Sequence, residues 1–247
     1  MSLSERWLRP DWPAPAQVRS CITTQWPSAE HGPYGQFNLG SHVGDELSNV
    51  SANRQQLADS LGCQPVWLDQ VHGTDVVEAM PHAPVATADA CWTATPGVAC
   101  AILTADCLPA LFCTRDGQRV AAAHAGWRGL LAGVLENTVQ ALNARPEDIL
   151  VWLGPCIGPS AFEVGPEVRE AFVAHAVEAE HAFTASNRTG HWYANLQLLA
   201  RQRLAEVGVT QIGGDALCTY NDERFYSYRR ASITGRFASL IWIATER

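Results

Sequence analysis

Apolar positions along this chain fall into two kinds of run. Val98–Leu103 and Leu108 to Cys113 are continuous apolar stretches bounded by polar or glycine-containing turns, the pattern of strands buried on both faces. Val120–Ala123, ending at His124, and Ile149–Leu153 have the same character, and Ala238–Ala244 is expected to close the chain as a strand. Val66–Leu68 and Val76–Ala79 predict short strands around the turn "QVHGTD", and Arg115–Gln118, with Asp116-Gly117, reads as a hairpin-type turn. Helical spacing marks Ser48–Leu61, where Val50, Leu57, Ala58 and Leu61 share a face; Ser48 and Ser51 are both placed to cap it and Gly62 to stop it. Further helices are expected over Leu130–Leu142, Pro166–Ala176 and Leu196–Val207, the last stopping at Gly208. The N-terminal segment, with Trp7, Trp12 and several prolines, reads as a strand or arm, and Phe37–Gly44 as a glycine-punctuated loop. Strands alternate with helices, yet several neighbouring strands are joined by tight turns. This predicts an α/β protein of the α+β kind, with a mixed sheet and flanking helices rather than a doubly wound parallel sheet.

No repeat, low-complexity segment or charged linker divides the 247 residues, which predicts one domain over 1–247. Hydrophobic residues at 47% and charged residues at 17% fit a folded chain. The apolar runs are too short to span a bilayer, and no basic region followed by an apolar stretch opens the chain, so no membrane partner and a cytoplasmic location are expected. A net charge of −8 argues against nucleic-acid binding. The chain contains no lysine; all 17 basic residues are arginine. That excludes a lysine Schiff base, a P-loop and a protein kinase, and leaves arginine, backbone N–H groups or a helix N-terminus to hold any phosphate. The eight cysteines include no CxxC pair, the usage of reduced thiols.

Three segments share one format: a short strand, then an abrupt turn carrying a metal-capable side chain. They are "LDQVHGTD" with His72, "ILTADCLP" with Cys107 and "AAAHAGWRG" with His124. Two imidazoles and one thiolate form a recognised catalytic zinc set that leaves a fourth position for water, whose pKa the metal lowers toward ~7. The same residues allow a second reading, in which Cys107 and His124 are a nucleophile–base pair with Asp106 or Asp75 orienting the imidazole. A third is a non-catalytic metal-binding or partner protein. HExxH, GxSxG and the zinc nucleobase deaminase signature are all absent.

The blocks "FNLGSHVGD", "DQVHGTDV", "ILTADCLPALF", "AAAHAGWRGLLAGV", "WLGPCIGPSAFEVG", "YANLQ" and "FYSYRR…TGRFASLIW" resemble, in order, those of the YfiH-like family, also called laccase-domain or multicopper polyphenol oxidase proteins. The resemblance runs from about Phe37 to Trp242. It implies mixed sheets between helices, a fold resembling that of Cys–His toxin deamidases, and one zinc held by His72, Cys107 and His124. It implies phosphorolysis of adenosine, inosine, guanosine and 5′-methylthioadenosine, and deamination of adenosine. The bacterial branch is further linked to removing a misincorporated L-serine from a peptidoglycan precursor, which would make the partner a muropeptide rather than a nucleoside and phosphate. Polyphenol oxidation fits less well, because multicopper sites use HxH pairs and this chain has none; copper would then be an incidental occupant.

Within that frame Cys107, Asp106 and Glu163 are the catalytic candidates, the two carboxylates as proton carriers. Asn38, His42, Arg54, Gln70 and Arg128 are candidate substrate contacts. Arg54 and Arg128, with Arg229 and Arg236, are the candidates for an anion site, Arg128 because it stands near a helix start. Trp127 is placed to stack on a purine or to pack in the core.

Overall fold

The computed structural model of the chain describes residues 7–25, 29–214 and 216–245. Strand β1 (Val18–Ile22) is followed by helix α1 (Leu47–Leu61). The helix starts one residue before Ser48, because the carbonyl of Glu46 already accepts from the N–H groups of Asn49 and Val50; Ser48 and Ser51 lie inside it and cap nothing. It ends at Gly62, whose φ of 63° is the left-handed stop that glycine tolerates. The expected strand at Val66–Leu68 is divided into β2 (Gln64–Val66) and β3 (Leu68–Asp69), which pair in different sheets. Next come β4 (Val76–Glu78), β5 (Ala86–Thr87), β6 (Ala90–Thr93), β7 (Val98–Thr104), β8 (Leu108–Thr114) and β9 (Val120–Ala125), the last continuing through His124.

Two helices, α2 (Trp127–Ala132) and α3 (Val134–Ala141), stand where one was expected over Leu130–Leu142. Gly133 separates them: with φ at 105° it ends the first and begins the second. The rest comprises β10 (Ile149–Leu153), β11 (Glu163–Val164), α4 (Pro166–His175), β12 (Phe183–Ala185), β13 (Trp192–Ala194), α5 (Leu196–Glu206), β14 (Gln211–Gly214) and β15 (Phe237–Ile243). The short strands β5, β6 and β11 to β14 were not expected; segments of two to four residues carry too few positions to show a period.

Two mixed sheets stack between helices. One has the order β1-β15-β7-β2, the other β14-β10-β8-β9-β6-β4. Alternation along the central strands explains their continuous apolar runs. Cys100 and Ile102 of β7 face Leu111 and Cys113 of β8 across the space between the sheets. Ala99, Ala101 and Leu103 point the other way, into a core shared with Leu57 of α1. Leu108, Ala110 and Phe112 of β8 point outward on the far side, against Leu130, Val134, Phe172 and Leu199 of the remaining helices. Each central strand is thus buried on both faces and shows no alternation of apolar and polar positions. The N-terminal segment from Trp7 joins this body: Trp7 packs on Phe37, and Leu8 exchanges backbone bonds with Ile22; residues 1–6 lie outside the described residues. Among the described residues no helix is long and apolar enough to cross a membrane.

Candidate metal centre and cleft

The turns at one end of the sheets bring three side chains together. Cys107 occupies the tight turn between β7 and β8, where Asp106 has a φ of 95°. His124 lies near the end of β9, and His72 follows β3 in the left-handed conformation, with φ at 62°. Such a backbone costs energy for a residue with a Cβ and persists only where its surroundings enforce it. Here Asp89 enforces it. Its carboxylate, fully buried, accepts from the N–H groups of Val71 (3.1 Å), His72 (2.9 Å) and Gly73 (2.6 Å). The same carboxylate pairs with His124 Nδ1 at 2.8 Å, and the Asp89 carbonyl accepts from the His124 N–H. With Nδ1 engaged, His124 turns Nε2 toward Cys107.

Cys107 Sγ lies 3.7 Å from His72 Nε2, and all three donor atoms fall within 4.8 Å of one another. Tetrahedral zinc with bonds of ~2.3 Å to sulfur and ~2.0–2.1 Å to nitrogen puts those donors roughly 3.6 Å apart. Burial alone would raise the Cys107 thiol; the charge and hydrogen bonds of His124 and His72 outweigh it and bring the pKa down to about 6. Burial alone would lower His124; the Cys107 thiolate and then Asp89 outweigh it and raise it to about 9. Without a metal the pair is thus a Cys107 thiolate beside a protonated His124, and a metal binding here would take the place of the His124 proton.

Glycine makes room for this cluster. A Cβ on Gly126 would stand 2.8 Å from His72 Cδ2 and 3.0 Å from Cys107 Sγ. One on Gly129 would stand 2.8 Å from the Gly73 carbonyl. Gly126→Ala is therefore expected to push the ligands apart and weaken metal binding by about 10–100-fold, the cost typical of disturbing a ligand's support. Competition with a chromophoric chelator measures this, and wild-type affinity would show that the ligands relax freely.

The cluster forms the floor of a cleft of about 320 Å³. Its lining includes Ile157, Phe162 and Tyr228, together with His42, Gln70, Arg229 and Arg236. Asp106 lines it too, but both its oxygens are engaged, accepting from Thr219 Oγ1 and the Arg229 N–H at 2.7 Å each. It ties the Cys107 turn to two distant loops. Gln70 bonds the backbone N–H and C=O of Leu103 through its side-chain amide. Burial first, and then the charge of Arg236, lowers the His42 pKa below its ordinary value.

Four candidates lie outside the cleft lining. Asn38 is fully buried and folds its own loop: Oδ1 accepts from Gly40 and Arg236 N–H groups, and Nδ2 donates to the Gly40 carbonyl and Asp45. Arg54 donates Nε to the Leu39 carbonyl and stacks over Trp67 at 4.3 Å, beside a neighbouring cavity. Glu163 sits on β11, where its carbonyl accepts from Arg229. Arg128 is exposed and lies over Trp127, because Gly126 and Gly129 take the face of α2 that meets the ligands. Trp127 packs against the helix-side core. Sequence reasoning missed Asp89, which takes the orienting place considered for Asp106 or Asp75. Its one signal is a lone carboxylate in the apolar "VATADACW".

Fold and site together define an α/β protein with a three-donor, metal-capable cleft. Residues 19–244 match the model of the family described as multi-copper polyphenol oxidoreductase laccase, and the chain belongs to that family. A Pseudomonas aeruginosa protein named purine nucleoside phosphorylase is 59% identical over 96% of this chain and 98% of its own length. An Escherichia coli protein, purine nucleoside phosphorylase YfiH, is 53% identical over 95% of this chain and 97% of its own. The crystal structure of the Neisseria meningitidis protein NMB0706, of family-model DUF152, superposes with a TM-score of 0.93 at 45% identity, covering 97% of this chain and 100% of that one. The several coppers in the family's description do not fit the residues present. Among the described residues, His72, Cys107 and His124 form one cluster of three donors, the set for a single ion.

Proposed function

We propose that this chain is a zinc-dependent purine nucleoside phosphorylase that also deaminates adenosine. One observation carries the reading: a cleft of nucleoside size joins a two-histidine, one-thiolate donor set to the guanidinium groups of Arg229 and Arg236. The names of relatives at 59% and 53% identity support the same chemistry. In phosphorolysis an oxygen of inorganic phosphate bonds the anomeric carbon of the ribose. The bond from that carbon to the purine nitrogen breaks, and the purine leaves with the electron pair and takes up a proton. Arg236 attracts and holds the phosphate, while Arg229, stacked over Phe162, bounds the nucleoside side. Phe162 and Tyr228 offer aromatic faces to the base. His72, Cys107 and His124 would hold the metal, which when bound supplies a Lewis acid to polarise an oxygen. Asp106 keeps the Cys107 turn in place, and Glu163 holds Arg229 through its carbonyl.

The test uses purified protein with adenosine, with and without phosphate, before and after chelation. Adenine and ribose 1-phosphate are expected only with phosphate, in a reaction lost on chelation and restored by zinc. Failure to release base from any purine nucleoside would overturn the reading.

A second reading is favoured by the chain Cys107–His124–Asp89, which also has the arrangement of a thiol hydrolase: nucleophile, base and orienting carboxylate. It would cleave an amide, releasing L-serine from a muropeptide precursor, on a fold resembling the Cys–His toxin deamidases. Serine release without turnover of any nucleoside decides for it.

A further inference from the structure

The metal cleft adjoins a second cavity of about 340 Å³, and His42 and Leu103 line both. Arg54 belongs to the second cavity. Its guanidinium is clamped by Trp67 beneath and by the Leu39 carbonyl at Nε, and its terminal nitrogens bond no group among the described residues. Arg236 lines the metal cleft, and both it and Arg54 are close enough to His42 for their charges to act on its imidazole. The Arg236 side chain is held by the carbonyls of Thr234 and Gly235, and its backbone N–H by Asn38. Among the described residues neither arginine has an ion-pair partner; Asp69, exposed, lines the second cavity, and Asp106 and Cys107 act on Arg236 from the metal cleft.

Both arginines are anchored through one loop. Asn38 and Leu39 receive Asn53 and Arg54 of α1 on one side and Arg236 on the other, so the loop sets the two guanidinium groups about His42. Both arginines and the rim carboxylate Asp69 act on the His42 imidazole, and two partly desolvated cations with no carboxylate in direct contact make a place for an anion. Burial lowers both arginines from their ordinary value; for Arg236 the charges of Cys107 and Asp106 oppose this without outweighing it. The cleft lining also includes Ile157, Phe162 and Tyr228, apolar and aromatic side chains that suit a purine.

We infer that inorganic phosphate binds at His42 between Arg54 and Arg236, reached through the second cavity, so that the nucleoside lies with its purine against Phe162 and Tyr228 and its anomeric carbon toward His42. This rests on the phosphorylase reading and gives it a direction: the two substrates enter from different sides. Arg229, stacked over Phe162, belongs to the nucleoside side.

The test measures KM separately for phosphate and adenosine in wild type, Arg54→Met, Arg54→Lys and Thr87→Glu. Thr87 is exposed on the rim of the second cavity, so Thr87→Glu adds a carboxylate near Arg54 without touching the core. Losing a charged hydrogen-bond donor is expected to raise KM for phosphate about tenfold or more in Arg54→Met. KM for adenosine should stay within about twofold, and lysine should restore much of the loss. Thr87→Glu should raise KM for phosphate alone, and less so at high salt. If Arg54→Met does not fold, Thr87→Glu decides. Unchanged phosphate KM in the variants, or a rise in adenosine KM instead, would overturn the inference while leaving the phosphorylase reading intact. A wild-type protein without phosphate-dependent base release would overturn both.

Discussion

Replacing Cys107 by serine is expected to abolish metal retention and phosphorolysis together. The hydroxyl nearly matches the thiol in shape, and the turn is held by Asp106 through Thr219, Arg229 and Ile157 rather than by the sulfur, so the fold should persist. What changes is the ligand. The thiol is brought to about 6 by His124 and His72 and is ready to be a thiolate, whereas serine stays protonated and offers a weak neutral oxygen. Disturbing only a ligand's support costs about 10–100-fold in affinity or activity, so loss of the ligand should exceed about 100-fold. Metal per chain after dialysis, read beside turnover with phosphate, checks this. Retained activity in protein stripped of metal would show that the metal is not needed.

Asp89→Ala is expected to produce the largest loss of stability in the region of the site. The substitution leaves His124 Nδ1 and three backbone N–H groups without their acceptor, inside a site where the Asp89 side chain has 0% exposure and that of His124 4%. Removing one partner of a buried pair costs about 3–5 kcal/mol, or roughly 6–20 °C in Tm for a chain of this size. The left-handed backbone at His72 loses its restraint at the same time, so metal affinity should fall with stability. Asp89→Asn separates the two effects. It keeps an oxygen and the volume, and should recover part of the Tm while holding His124 poorly, since an amide cannot match a carboxylate as acceptor for both the ring and the loop. Calorimetry and chelator competition on the two variants measure each part. A Tm within about 1 °C of wild type in Asp89→Ala would show that the loop is held by other means.

The metal-capable residues were legible because each sits where an apolar run breaks abruptly. Val98–Leu103 and Val120–Ala123 could only be buried strands, and Cys107 and His124 stand at their ends. The ordered blocks carried the family and, with it, the expected ligand set. The stop of α1 at Gly62 was legible for the same local reason: a glycine after a periodic run. The break between α2 and α3 was not, since a glycine inside a helical pattern is normally tolerated and only its positive φ shows it to be a boundary.

What periodicity could not express was the relation between distant segments. Asp89 appears in sequence as one carboxylate beside alanines; folding alone places it under His72, 17 residues away, and His124, 35 away. Asn38 looked like a loop residue open to substrate, yet its amide is spent on Gly40, Asp45 and Arg236, which lies 198 positions on. The division of the arginines is likewise tertiary: Arg128 points to solvent, Arg229 and Arg236 into the cleft, and Arg54 into the cavity beside it. By itself the sequence determined the long buried strands, the apolar face of α1 and the donor types, because those follow from the polarity of neighbouring residues and the geometry of a single segment. Only the tertiary structure decided which polar groups are free to meet a ligand and which are consumed by the chain itself, because a hydrogen bond between residues far apart in sequence leaves no periodic trace in either segment.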